Sequence, residues 1–160
     1  MNFKALNKNF LLIIFATLFL SACATQVKKV DSQLQGDVYT GTDTVEYLAK
    51  GVPDRVFFAT NESVLTTASR DTLRKQATWL RKNSDINIVI EGHADERGTR
   101  EYNLALGERR ANAARDYLMT YGISGKRISV ISYGKEKPVN PASTPLAWSQ
   151  NRRSVTVKVN

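Results

Sequence analysis

Asp95 and Arg110 are the residues whose types and spacing most narrowly limit the chemistry of this chain. Asp95 lies in Glu91-Gly92-His93-Ala94-Asp95-Glu96-Arg97-Gly98, a charged loop that follows an apolar run. Arg110 lies in the segment after it, Tyr102-Asn103-Leu104-Ala105-Leu106-Gly107-Glu108-Arg109-Arg110-Ala111. On a helical wheel Arg110 sits about 40° from Leu106, between Tyr117 at about 20° and Ala114 at about 80°. A cation thus projects from an apolar stripe, and a buried charge is costly unless something pairs with it. Either Arg110 snorkels to the stripe's edge or pairs structurally with Asp95, or the two residues face a common ligand. In the second case Asp95 accepts an ammonium and the guanidinium fork takes a carboxylate, a combination suited to a zwitterion. The turn from Asp95 toward a helix N-terminus adds unpaired N–H groups, a natural seat for a carboxylate.

Other chemistries find little support. His93 is the single histidine and stands beside Asp95. Neighbouring residues at a strand end need not face the same way, however, so His93 reads as structural. No Gly-x-Ser-x-Gly elbow, metal-spaced histidine cluster or phosphate loop is present, so the chain reads as a non-enzyme without metal or cofactor.

The elements that position these residues alternate cleanly. Arg55–Ala59 is a short strand, and Thr66 or Thr67 caps a helix to about Lys82, with Leu73, Ala77 and Leu80 on one face. Ile86–Glu91 is a second strand with alternating isoleucines. Thr99 caps a second helix that runs to about Tyr121 and stops at Gly122. Ile128–Tyr133 is a third strand, Leu146–Asn151 a helical turn, and Ser154–Val159 the last strand. The order βαβαββ predicts an α+β fold, a two-layer sandwich with the helices over one face of a mixed four-stranded sheet.

The N-terminus has the plan of a signal peptide over residues 1–22, with Lys4 and Lys8 before the apolar run Phe10–Leu20. That run is too short for a membrane span of about 20 residues. Leu20-Ser21-Ala22-Cys23 resembles the lipobox of bacterial lipoproteins, which predicts cleavage before Cys23 and lipidation of that residue, the only cysteine. Ala24 after it favours outer-membrane sorting by the same resemblance. Residues 23–51 read as the lipidated cysteine and a polar tether, within which Val45–Leu48 forms a short turn docking on the domain edge. Residues 52–160 read as one domain. Loss of residues 1–22 lowers the formal charge from +8 to +6. A basic surface outside the cytoplasm points to wall polymers, lipid headgroups or acidic proteins. Nucleic acid is not expected, because the charges are scattered without an aromatic stacking platform.

Gly92-His93-Ala94-Asp95, followed by Asn103-x-x-Leu106-Gly107-x-x-Arg110-Ala111-x-x-Ala114-x-x-x-Leu118, resembles the signature of the OmpA-like peptidoglycan-binding domain. The extension Glu96-Arg97-Gly98, with Tyr133-Gly134-Lys135-Glu136-Lys137-Pro138 and Asn151-Arg152-Arg153, is similar to the peptidoglycan-associated lipoproteins of that family. The resemblance covers about Val52 to Asn160 and implies strand order 1-4-2-3, with the fourth strand antiparallel to the rest. It implies that Asp95 and Arg110 grip the diaminopimelate of the stem peptide, with Ala94, Leu106, Thr60 and Asn61 around them. Arg152 or Arg153 offers a contact for a second carboxylate, against the plainer reading of a solvated basic turn. The family usually carries acids in an Asp-x-Asp segment after the first strand, where this chain has Ala59 and Asn61.

The resemblance further implies an outer-membrane lipoprotein with its domain in the periplasm. Its partners would be peptidoglycan and, on an overlapping surface, the β-propeller TolB of the Tol–Pal system, which serves envelope integrity and division. The alternative is a generic wall-anchoring lipoprotein outside that system.

Overall fold

The computed structural model describes residues 34–159. The expected signal sequence, Cys23 and the first part of the tether lie outside the described residues. The first described elements are two short hairpins, one within the stretch assigned to the tether and one across the boundary between tether and domain. Strands β1 (Leu34–Gln35) and β2 (Val38–Tyr39) pair across the turn Gly36-Asp37, with Gly36 at φ 68°. Strands β3 (Tyr47–Ala49) and β4 (Val52–Pro53) form the second hairpin.

The remaining elements follow the sequence pattern. They are β5 (Arg55–Phe57), α1 (Thr67–Lys82), β6 (Asn87–His93), α2 (Arg100–Thr120), β7 (Ile128–Gly134), α3 (Pro145–Asn151) and β8 (Arg153–Val159). Both predicted caps are in place: Thr66 Oγ1 accepts from Ser69 N at 3.1 Å and Thr99 Oγ1 from Tyr102 N at 3.2 Å. Gly122, at φ 84°, follows α2 in the left-handed conformation that ends many helices. The first strand stops at Phe57 rather than Ala59, because residues 59–62 close a turn through Glu62 N to Ala59 O.

The four main strands lie in the order β5-β8-β6-β7. β8 is antiparallel to both neighbours, and β6 and β7 are parallel. This is the 1-4-2-3 arrangement expected for the α+β fold. Val56, Ile88 and Ile90 from the sheet meet Leu73, Ala77 and Leu80 of α1 and Ala111, Ala114 and Leu118 of α2 in one core. Burial of such side chains contributes about 25 cal/mol per Å² removed from water.

One close approach fixes where α2 lies. A Cβ built on Gly92 would overlap the Gly107 carbonyl, and one on Gly107 would overlap Ser132 Oγ. The helix backbone therefore rests directly on β6, which sets α2 beside the loop that follows β6. Among the described residues no helix is long and apolar enough to cross a membrane.

Candidate functional site

The loops after β5 and β6 and the C-terminal end of α3 meet at one end of the sheet. Asp95 lies two residues past β6, and Ala94 N donates to Gly134 O at 2.8 Å. The loop after it is pinned from several sides. Asn103 Nδ2 donates to Arg97 O at 2.8 Å, and Lys135 Nζ to Gly98 O at 2.8 Å. Glu96 accepts from Trp148 Nε1 at 2.8 Å and from Ser143 Oγ at 3.1 Å.

Asp95 is buried but charged. Arg97 donates to it from its backbone N–H at 3.1 Å, from Nε at 3.0 Å and from Nη2 at 2.7 Å. Arg152 Nη1 adds a bond at 3.2 Å. Burial works against the ionised form, but the hydrogen bonds of Arg97 and Arg152 outweigh it and hold the carboxyl below its ordinary range. The expected helix N-terminus is not what seats it: among the described residues the one backbone donor on Asp95 is the Arg97 N–H of its own turn.

Arg110 is fully buried, as its place in the apolar stripe predicts. Its guanidinium is spent on backbone carbonyls rather than on Asp95. Nε donates to Glu62 O at 2.8 Å, Nη1 to His93 O at 2.9 Å and Nη2 to Ala59 O at 3.0 Å. Of five N–H groups, one on each terminal nitrogen remains beyond these bonds. Burial, reinforced by the charge of Arg152, lowers its pKa to about 10, so it stays cationic at neutral pH. Arg110 thereby clamps both ends of the turn at residues 59–62 to the end of β6.

Arg152 links the same loops. Its Nε donates to Phe58 O at 3.1 Å, while Phe58 N donates to Arg152 O at 2.9 Å. Arg97, Thr60, Arg152, Trp148, Pro145 and the hairpin turn Gly36-Asp37 bound a cleft of about 370 Å³. The Arg97 guanidinium lies over the Trp148 ring, 4.3 Å from its centroid, a cation–π contact. Of the predicted site residues, Thr60 and Arg152 line this cleft and Asp95 lies beneath Arg97. Asn61 is exposed on the adjoining turn at φ 58°, whereas Ala94 and Leu106 are buried. Arg153 instead points to another region, near Arg55 and His93.

Arg97, Trp148 and Asp37 supply charge or stacking to the cleft without a role that the sequence alone assigns. Arg97 was visible beside Asp95, but nothing in its type says that it folds back. Trp148 lies 52 residues from Glu96, and Asp37 belongs to a polar stretch without periodicity.

His93 presents its carbonyl to Arg110, while its ring stacks with Tyr133 at 5.6 Å and neither ring nitrogen finds a hydrogen bond among the described residues. Burial, then the charges of Arg153, Lys137 and Arg55, lower its pKa to about 3. The unfolded chain binds a proton below about pH 6.5 that the folded chain refuses until about pH 3. Stability is therefore expected to fall as pH drops through that window, by up to about 1.4 kcal/mol per pH unit. Denaturant midpoints between pH 7 and 5 should show this slope, and His93→Gln should flatten it. An unchanged slope in the variant would remove His93 as the cause. Among the described residues no cluster of three or more His, Cys, Asp or Glu is placed to hold a metal ion.

The mixed 1-4-2-3 sheet with its helices is an OmpA-like fold, and the OmpA family profile matches residues 57–152. The chain belongs to the OmpA family. It is 44% identical over 156 residues to a peptidoglycan-associated lipoprotein of Mesorhizobium japonicum, covering 95% of this chain and 93% of that one. A peptidoglycan-associated lipoprotein of Rhizobium meliloti is 45% identical over 150 residues, covering 92% and 85%. Among solved structures, the peptidoglycan-associated lipoprotein from Burkholderia pseudomallei superposes with TM-score 0.65 at 37% identity, over 66% of this chain and 90% of that one. The C-terminal domain of Helicobacter pylori MotB shares the fold, with TM-score 0.62 at 19% identity, over 67% and 84%.

Proposed function

We propose that this protein is an outer-membrane lipoprotein whose periplasmic domain binds peptidoglycan non-covalently, through the diaminopimelate of the stem peptide. The observation that carries this reading is Asp95: a carboxylate kept ionised at the edge of a cleft, covered by an Arg97 side chain that is 42% exposed. A half-exposed cation on a buried, ionised acceptor is a contact that a ligand ammonium can take over. The Thr60 N–H and Arg152 supply donors for the ligand carboxylate, and Arg110 holds the turn that carries Thr60. Arg110 itself has two N–H groups to offer a ligand that reaches it. The names of the two long relatives support the same reading.

Acylation of Cys23 anchors the protein in the outer membrane, and stable anchoring needs more than one lipid chain. In a Tol–Pal system the protein would bind TolB on an overlapping surface, preserve envelope integrity and draw the outer membrane inward at division. The test is sedimentation of the protein with purified sacculi, alone and with free diaminopimelate. Binding is expected to be lost as diaminopimelate rises; binding indifferent to it would sink the assignment of the ligand. A pull-down with TolB separates the Tol–Pal role from generic wall anchoring, since wall binding without TolB binding leaves only the latter.

A further inference from the structure

The cleft is already filled by the protein's own charges. Asp37, at the turn of the β1–β2 hairpin, brings Oδ2 to 2.6 Å from Thr60 N and 3.8 Å from Arg152 Nη2, and its backbone carbonyl accepts from the same guanidinium. Arg97 meanwhile lies on Asp95. A carboxylate thus sits on the donors and a cation on the acceptor, the two charge types a zwitterionic ligand would bring.

In both contacts the receiving group is buried and the occupant is half exposed. The side chains of Asp95 and Arg152 are 8% and 3% exposed, whereas those of Arg97 and Asp37 are 42% and 48% exposed. Arg152 is further tied to Phe58 O, while Asp37 can turn into water, where its charge is solvated. The hairpin has an apolar hold of its own in Tyr39, which is buried edge-to-face on Phe57 with ring centroids 4.7 Å apart. In the turn it docks on, Ala59 and Asn61 add no carboxylate of their own to repel Asp37; the acid of that turn is Glu62 at its far end.

We propose that residues 34–39 are a built-in competitor, in which Asp37 holds the carboxylate subsite of the cleft until a wall carboxylate displaces it. This rests on the reading of the cleft as the wall site. Only the fraction of molecules with the hairpin lifted can bind, so the apparent affinity is reduced by that fraction. A hairpin docked nine-tenths of the time would weaken wall binding about tenfold. The wall is then gripped by competition against the protein's own N-terminal segment rather than by filling an empty site.

The test uses the full chain in detergent and its Asp37→Ala and Asp37→Asn variants. Each is measured for sedimentation with sacculi and for hydrogen exchange at the Thr60 amide, with Asp95→Ala run alongside. Faster exchange at Thr60 together with wall binding about tenfold tighter in Asp37→Ala is the expected result. Asp37→Asn, which keeps an acceptor oxygen but not the charge, should fall between alanine and wild type. Wall binding unchanged or weakened in the Asp37 variants, with Asp95→Ala still inactive, overturns the competitor and leaves the site standing. Wild-type-like binding by Asp95→Ala overturns the site reading, and the competitor falls with it. Unchanged exchange at Thr60 in Asp37→Ala shows that the hairpin does not guard that amide, and overturns the proposal directly.

Discussion

Replacing Arg110 with methionine is expected to destabilise the domain by about 3–5 kcal/mol, the cost of breaking a buried charged contact by removing one partner. Methionine keeps most of the stem's volume but leaves the carbonyls of Ala59, Glu62 and His93 without their donor. Each hydrogen bond to a charged group contributes about 1.5–3 kcal/mol. The three do not simply add, because the buried cation costs free energy of its own to desolvate. In a domain of this size such a loss lowers the thermal midpoint by roughly 10–20 °C. Arg110→Lys should recover only part of it, since one ammonium cannot serve three carbonyls that converge from different directions. Circular dichroism melts of the three proteins make the comparison. A methionine variant within about 3 °C of wild type, yet unable to bind sacculi, would show that Arg110 serves the ligand and not the turn.

The second large effect is expected at Asp95. Asp95→Ala should weaken sedimentation with sacculi at least thirty-fold, since losing one partner of a desolvated charged contact costs about 2–5 kcal/mol. Asp95→Asn separates charge from shape. It keeps an acceptor in place for Arg97 or Arg152 but removes the negative charge that an ammonium needs. Both variants should therefore fail on the wall, with asparagine melting closer to wild type than alanine. Sacculi whose diaminopimelate carboxylates have been amidated probe the other end of the ligand. Wild-type protein binding them undiminished would exclude a role for the Thr60 and Arg152 donors.

Much of the fold was legible because its signals are local. Ile86, Ile88 and Ile90 alternate, Leu73, Ala77 and Leu80 repeat at helical spacing, and Thr66, Thr99 and Gly122 mark helix ends by chemistry that a few residues carry. The strand order came with the family resemblance, since pairing between β5 and β8 spans almost the whole domain. The site was legible in part. The helical wheel isolates Arg110 because a charge in an apolar stripe is anomalous, but its partners are main-chain carbonyls, which any sequence supplies. Asp95 was found, but its cover was not, because Arg97 folds back through a turn and Arg152 arrives from the far end of the chain. The hairpin that brings Asp37 to the cleft has strands of two residues each, too short for a period of two to declare itself.

The direction in which β5 joins the sheet governs how the domain bears load. The chain enters β5 at Asp54, whose carbonyl accepts from Thr156 N at 2.7 Å, and leaves it at Phe58 on the end where the cleft lies. A pull between the N-terminal segment and a ligand in the cleft therefore runs along β5, parallel to the strand axis. The ladder with β8 meets that force in shear, so its hydrogen bonds are strained together rather than unzipped one after another. With a ligand in the cleft the β1–β2 hairpin is already lifted, so it carries none of this load. Its residues would then pay out as slack while the sheet stays whole.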